Sequence, residues 1–235
     1  TRVDSERALY QSFCASTLPR GMRLDGLKLV VDCANGAAYK VAPRALSELG
    51  AEIVPIGCSP NGRNINDGCG STDTGLLKLT VSGVRADAGI ALDGDGDRLV
   101  MVDHLGRAVD GDQLLYVLTK ARLAAGELRG PVVGTVMSNL GLELALADLG
   151  VPFMRSAVGD RNVLQMLRAN GGVLGGEASG HLLVLDKATT GDGLVVALQV
   201  LAVMKSTGKP LAELAAGMRR FPQQLVNVRV AKRFD

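Results

Sequence analysis

The sequence contains no Trp, and aromatic residues occupy only 3% of its 235 positions. A core of ordinary size must then come from Val, Leu, Ile and Ala, the residues that fill buried parallel strands in α/β proteins. There are two histidines and four cysteines (Cys14, Cys33, Cys58, Cys69), with neither a CxxC pair nor the Cys/His spacing of a zinc site. No secretory signal opens the chain, so reduced thiols in a cytoplasmic protein are expected. A formal net charge of +2 is too small to argue for nucleic acid, and no basic run is interleaved with aromatics. The longest apolar stretch, Leu194 to Met204, is interrupted by Gln199 and is too short to span a bilayer. No G-x-G-x-x-G follows the first strand pattern and no G-x-S-x-G occurs, so a dinucleotide fold and a hydrolase elbow lack support.

What is present is a soluble globular composition, 47% apolar and 21% charged, long enough for one large domain or two of ordinary size. The chain says one thing twice. "KLVVDCANG" reads as a strand ending in turn residues, "APRALSELG" as a helix with Pro43 near its start and Gly50 as its stop, and "AEIVPIG" as a second strand. "PVVGTVMSN", "LELALADLG" and "VPFMRSA" repeat that order, with Leu149-Gly150 one hundred positions after Leu49-Gly50. The expected fold is α/β: two similar consecutive domains, each a mixed, largely parallel sheet flanked by helices. Between them, "LVMVDHLGRAVDGD" reads as a strand, a turn near Gly106 and a short strand, with Asp110 or Asp112 capping the next helix. The boundary falls around residues 104–110.

Each copy continues to a later strand that ends in a loop of Gly and acid, where open α/β sheets bind ligands. The first, "ALDGDGDR", gathers Asp93, Asp95 and Asp97 at alternate positions with Arg98 directly after. One Asp-Gly pair would be a common turn. Three carboxylates this close repel strongly unless a cation sits among them. An EF-hand is excluded: its sixth position needs Gly and holds Arg98, its twelfth needs Glu and holds His104, and a strand replaces the flanking helix. Mg²⁺ fits better, since it keeps open positions for water or phosphoryl oxygens, and Arg98 can fork onto phosphate. Such parts serve phosphoryl transfer.

The second loop, "GGEASGH", joins a carboxylate, a hydroxyl and an imidazole. Glu177, Ser179 and His181 alternate, so in an extended loop they would face one side, as sugar hydroxyls require. A structural turn with solvated Glu and His stands as the alternative. In "SAVGDRN", Asp160 and Arg161 sit at a strand-to-helix turn, where Asp160 could be an N-cap or a ligand contact. Arg63 of "SPNGRNIN" reads as part of an ordinary surface loop.

"ALDGDGDR" followed by "GGEASGH" resembles the α-D-phosphohexomutases. "VVDCANGAAYKVAP", "PNGRNIN", "VMSNLGLELAL", "VGDRNV" and "TTGDG" extend the resemblance, in order, over almost the whole chain. Family members have four domains. The resemblance implies a helical remnant of a first domain at 1–18, a metal-binding second domain at 19–106, a sugar-binding third at 107–224, and a connection to a fourth at 225–235. By resemblance, Asp93, Asp95 and Asp97 bind Mg²⁺, completed by a phosphoserine of the first domain that has no counterpart here. Arg98 steadies the phosphate, Glu177 and Ser179 bind sugar hydroxyls, His181 is an acid/base candidate, and Asp160 and Arg161 line the cleft. Ala178 departs from the pattern of the family members the chain most resembles, which usually carry Gln or Asn there. The implied reaction interconverts glucosamine 6-phosphate and glucosamine 1-phosphate through a 1,6-bisphosphate, with a mannose or glucose phosphate mutase as the alternative. The implied partners are the sugar phosphate and the flanking domains of the same chain, with a homodimer left open. A non-catalytic Mg²⁺ and sugar-phosphate binding module is the alternative outside enzymes, and this chain alone is expected to lack turnover.

Overall fold

The computed structural model describes residues 4–224 and 226. The expected connection at 225–235 lies outside the described residues apart from Val226, as does the start of the helical pattern at 1–3. Helix α1 (Asp4–Ser16) leads into a five-stranded sheet built from β1 (Lys28–Asp32), β2 (Glu52–Ile56), β3 (Ala88–Leu92), β4 (Leu99–Asp103) and β5 (Ala108–Val109). Helices α2 (Val41–Glu48) and α3 (Gly75–Val84) connect them. The order is β2-β1-β3-β4-β5, parallel from β2 through β3 and antiparallel beyond.

The second half repeats this plan. Strands β6 (Val132–Thr135), β7 (Phe153–Ser156), β8 (Leu174–Gly176) and β9 (Leu182–Val184) are ordered β7-β6-β8-β9. Here too the first strand of the unit is central, the second is its parallel edge neighbour, and the last is antiparallel. Helices α4 (Gly111–Ala124), α5 (Leu140–Asp148), α6 (Asp160–Ala169), α7 (Gly193–Thr207) and α8 (Leu211–Ala215) complete it. The duplicated α/β architecture read from the sequence is therefore what the chain adopts.

Strand alternation distributes the core. Leu29 and Val31 of β1 and Ile90 and Leu92 of β3 enter the main apolar cluster, while Val30 and Ala91 face α3 with Leu77 and Val81. The main cluster crosses between the halves, joining Leu99 and Met101 to Leu114, Leu174, Leu182 and Leu198. Helix α7 is why it can. It is apolar on all sides because it is enclosed, packing on α1, α4, β3, β4 and β9. Gln199, which interrupts its apolar run, is buried with its amide on the Thr17 carbonyl and hydroxyl. Among the described residues no helix is long and apolar enough to cross a membrane.

At its carboxyl ends the first sheet meets the second half backbone to backbone. The Leu99 amide donates to the Gly180 carbonyl at 3.0 Å, the Gly193 amide to the Gly96 carbonyl at 2.9 Å, and Arg98 and His181 form an antiparallel bridge. These contacts place the two Gly-rich loops against one another.

Candidate functional site

The carboxylate loop is the connection of the β3–β4 hairpin, between the paired residues Leu92 and Leu99. It curls around its own first aspartate. Asp93 is 8% exposed, and its Oδ1 accepts hydrogen bonds from the amides of Gly96 and Arg98, both at 3.1 Å. Gly96 makes the curl possible with φ of 80°, a left-handed conformation costly for other residues. Asp95 is exposed and Asp97 half-buried, and one ligand oxygen from each of the three aspartates lies within 4.8 Å of the others. Burial pushes the Asp93 carboxyl above the usual range. The Arg98 amide opposes this, and the charges of Asp97 and Asp95 add to it. Arg98 stands nearby without neutralising the group: its Nε is 3.9 Å from Asp93 Oδ2 and 4.0 Å from Asp97 Oδ1, with its side chain half exposed. An all-oxygen donor set of three carboxylates of this spread, with Arg98 beside it, fits a hard divalent cation.

The second loop differs from the extended form expected from its alternating residues. Glu177 to Gly180 is a tight turn between β8 and β9, closed by the Gly180 amide on the Glu177 carbonyl at 2.9 Å. The three side chains consequently diverge. Ser179 is exposed. Glu177 accepts the Gly159 amide through Oε1 at 2.9 Å. His181 points inward, 6% exposed, with Nδ1 3.1 Å from Asp97 Oδ2. Since a carboxylate only accepts, Nδ1 carries the proton in this contact. Its Nε2 is buried and has no hydrogen-bond partner among the described residues. The ring lies so close to Gly191 that a Cβ there would stand 2.4 Å from Nε2.

Asp160 and Arg161 are exposed at the first turn of α6, immediately after the Gly159 that Glu177 holds. Gly159 occupies the N-cap position, and Asp160 Oδ1 accepts the Arg161 amide at 2.7 Å. Of the two candidates for capping α4, Asp110 does so, in a reciprocal pair with Gln113. Asp112 is fully buried instead and accepts the Asn139 amide at 2.7 Å. "SPNGRNIN" is a surface loop, as expected, with every residue but Asn64 exposed. Asn61, Asn64 and Asn35 fold it by side chain to backbone bonds, and Ile65 packs on Gly94 of the carboxylate loop. Arg63 itself is exposed.

Two supports escaped the sequence reading. Asp32, at the end of β1, is fully buried and ties the Ala34 and Gly70 amides at 2.9 Å each. This shapes the turn whose Ala37 amide reaches the Gly94 carbonyl. Asp192 joins α1 to α7: it accepts the Tyr10 hydroxyl and caps the Val195 amide. The only signal was "TTGDG", whose Asp and Gly suggest a cap but not its partner. A cavity of about 270 Å³, lined by Tyr10, Asp95, Gly96, Asp97 and Asp192 among others, opens beside the carboxylates. A larger one of about 620 Å³, between Arg85, His104 and Lys205, touches neither loop.

Comparison with known proteins identifies the family and the fold. Residues 10–106 match the family description "Phosphoglucomutase/phosphomannomutase, alpha/beta/alpha domain II", and residues 110–221 match domain III of the same family. A phosphoglucosamine mutase of Chromobacterium violaceum is 60% identical over 228 residues, covering 97% of this chain and 51% of that protein. One of Methylococcus capsulatus is 57% identical over 233 residues, covering 99% and 52%. The chain thus spans about half the length of the curated relatives it matches. Among solved structures, a phosphoglucomutase/phosphomannomutase family protein of Burkholderia thailandensis superposes with a TM-score of 0.79 at 26% identity, over 91% of this chain and 46% of that one. An Aspergillus fumigatus N-acetylphosphoglucosamine mutase, in complex with GlcNAc-6P and magnesium, shares the fold with a TM-score of 0.71 at 22% identity, over 94% and 51%. By two domain matches that together cover most of its residues, the chain belongs to the phosphoglucomutase/phosphomannomutase family.

Proposed function

We propose that this chain is the central part of a phosphoglucosamine mutase, interconverting glucosamine 6-phosphate and glucosamine 1-phosphate. Residues 19–106 and 107–224 would be the second and third of four domains. The observation that carries the reading is the meeting of three aspartates, Arg98 and the Glu177–His181 loop at one seam. The names of relatives at 54–60% identity support the choice of sugar.

Asp93, Asp95 and Asp97 would hold Mg²⁺, which when bound supplies positive charge to offset that of the transferring phosphoryl group. Arg98, its side chain half exposed, would fork onto phosphate oxygens beside them. Glu177, oriented by the Gly159 amide, keeps a second carboxylate oxygen for a sugar hydroxyl. Ser179, exposed at the tip of the turn, would bind another. Asp160 and Arg161 would border the same cleft. His181 is the acid/base candidate, although Nδ1 is engaged by Asp97 and Nε2 is buried against Gly191, so the ring would have to swing outward to reach a sugar hydroxyl. A phosphoserine on a segment outside this chain would give its phosphoryl group to the free sugar hydroxyl. The resulting 1,6-bisphosphate would turn over in the site and return its other phosphoryl group to the serine. On this account the chain alone has no turnover.

The test is a mutase assay on the full-length protein that contains this chain. Glucosamine, mannose and glucose 6-phosphates would be compared by phosphorus NMR with Mg²⁺ and a trace of bisphosphorylated sugar. Preference for the glucosamine substrate is expected. Equal or faster turnover of the others would assign the protein to a different sugar, and none with phosphoserine present would leave a binding module.

A further inference from the structure

Gly191, Asp192 and Gly193 form the approach to α7, and this short segment meets the carboxylate loop at two points. Gly193 donates its amide to the Gly96 carbonyl, between Asp95 and Asp97, at 2.9 Å. No side chain is tolerated there, since a Cβ would stand 2.8 Å from the Arg98 carbonyl and 3.0 Å from that of Gly96. Gly191 lies against the His181 ring, whose Nδ1 holds Asp97. Asp192 stands between the two contacts. Its Oδ1 accepts the Val195 amide at 2.9 Å, fixing the first turn of α7. Both its oxygens accept the Tyr10 hydroxyl, at 3.0 and 2.9 Å.

We propose that Asp192, clamped by Tyr10 of α1, is a positioning residue for the cation site: it fixes the α7 N-terminus from which Gly193 and Gly191 hold the Gly96–Asp97 backbone and the His181–Asp97 contact in place. This rests on the reading of Asp93, Asp95 and Asp97 as metal ligands. The Tyr10 hydroxyl is suited to the clamp. Burial first, then the Asp192 charge, push its pKa far up, which keeps the hydroxyl protonated and able to donate. The consequence reaches beyond the loop. Helix α1 precedes the first sheet, so any displacement of α1 is felt at the cation site, and cation binding restrains α1 in return.

The experiment is Mn²⁺ titration of the 235-residue chain, read by loss of the free-ion electron paramagnetic resonance signal. Asp192→Ala and Tyr10→Phe are each expected to weaken Mn²⁺ binding about tenfold, the usual effect of losing a partner behind the ligand shell. Asp192→Asn keeps acceptors for Val195 and Tyr10 and is expected to bind as the parent does. Val81→Ala, which opens a cavity in the separate cluster under α3, is expected to lower stability and leave Mn²⁺ affinity unchanged. Parent-like binding by both Asp192→Ala and Tyr10→Phe would overturn the proposal. So would an Asp192→Asn as weak as Asp192→Ala, because charge and not position would then be what matters. Should Asp192→Ala fail to fold, Tyr10→Phe, which loses only a hydroxyl, decides alone. A parent chain that does not bind Mn²⁺, or binds it equally after Asp95→Asn, would instead remove the metal reading itself.

Discussion

Leu99 and Gly180 meet with no room for a side chain: a Cβ on Gly180 would stand 2.3 Å from the Leu99 carbonyl oxygen. Gly180 also has φ of 99°, which L-residues rarely adopt. The pair closes the seam that brings the Glu177–His181 loop onto the carboxylate loop. Gly180→Ala is expected to cost about 3 kcal/mol, combining backbone strain with overpacking. Urea denaturation measures it. A loss below about 0.5 kcal/mol, the range of neutral surface changes, would mean the seam is looser than described.

If Asp93, Asp95 and Asp97 hold the cation as proposed, removing one of them should uncouple it from the fold. Asp95 is exposed, so Asp95→Asn is expected to change metal-free stability by less than about 0.5 kcal/mol. In the parent, Mg²⁺ at a hundred times its dissociation constant should add about 2.7 kcal/mol. Thermal melts with and without Mg²⁺ check this. The variant should show no Mg²⁺-dependent shift at the same concentration.

His181 can be divided into its two nitrogens. Asn at this position places an amide near the site of Nδ1 and keeps a donor for Asp97, whereas Gln reaches toward Nε2. His181→Asn is expected to retain Mg²⁺ affinity while full-length activity falls about 100-fold or more, the usual contribution of an acid/base group. His181→Gln is expected to weaken Mg²⁺ binding as well. Calorimetry and the mutase assay together separate them. Full activity in His181→Asn would leave the ring with a positioning role only.

Asp112 sets a pH dependence of stability. Its pKa is pushed up to about 6, chiefly by burial, against the Asn139 amide that its Oδ2 accepts. A carboxyl with a raised folded pKa binds more protons folded than unfolded. Its contribution is therefore most favourable below the unfolded pKa of about 4 and is lost as pH rises to about 6. Relative to the parent, Asp112→Asn should gain stability between pH 4 and pH 7, by at most about 3 kcal/mol. Denaturant melts at both pH values check it. A constant difference would show that Asp112 does not titrate in this range.

The α/β class and its duplication were legible because strand and helix patterns recur with Gly50 and Gly150 as matching stops, both at positive φ. The three aspartates were legible because like charges do not crowd within five residues of one chain without a reason. What joins the halves was not. The Leu99–Gly180 and Tyr10–Asp192 contacts bring together residues far apart in the chain, and neither leaves a local pattern. Between an extended form and a turn at Glu177–Gly180, the sequence left the choice open for a related reason. Alternation predicts one face only in an extended strand, and the Gly180 amide closes the segment into a turn. Helix α7 reads as an apolar stretch, and only its enclosure by both halves says why.

The most direct test of the account is an anomalous difference map at the manganese edge from crystals of this chain soaked in Mn²⁺. The account predicts one strong peak within coordination distance of Asp93, Asp95 and Asp97, and its disappearance in Asp95→Asn. A peak elsewhere, or none at a concentration that saturates binding in solution, would contradict the assignment of these aspartates as the cation site.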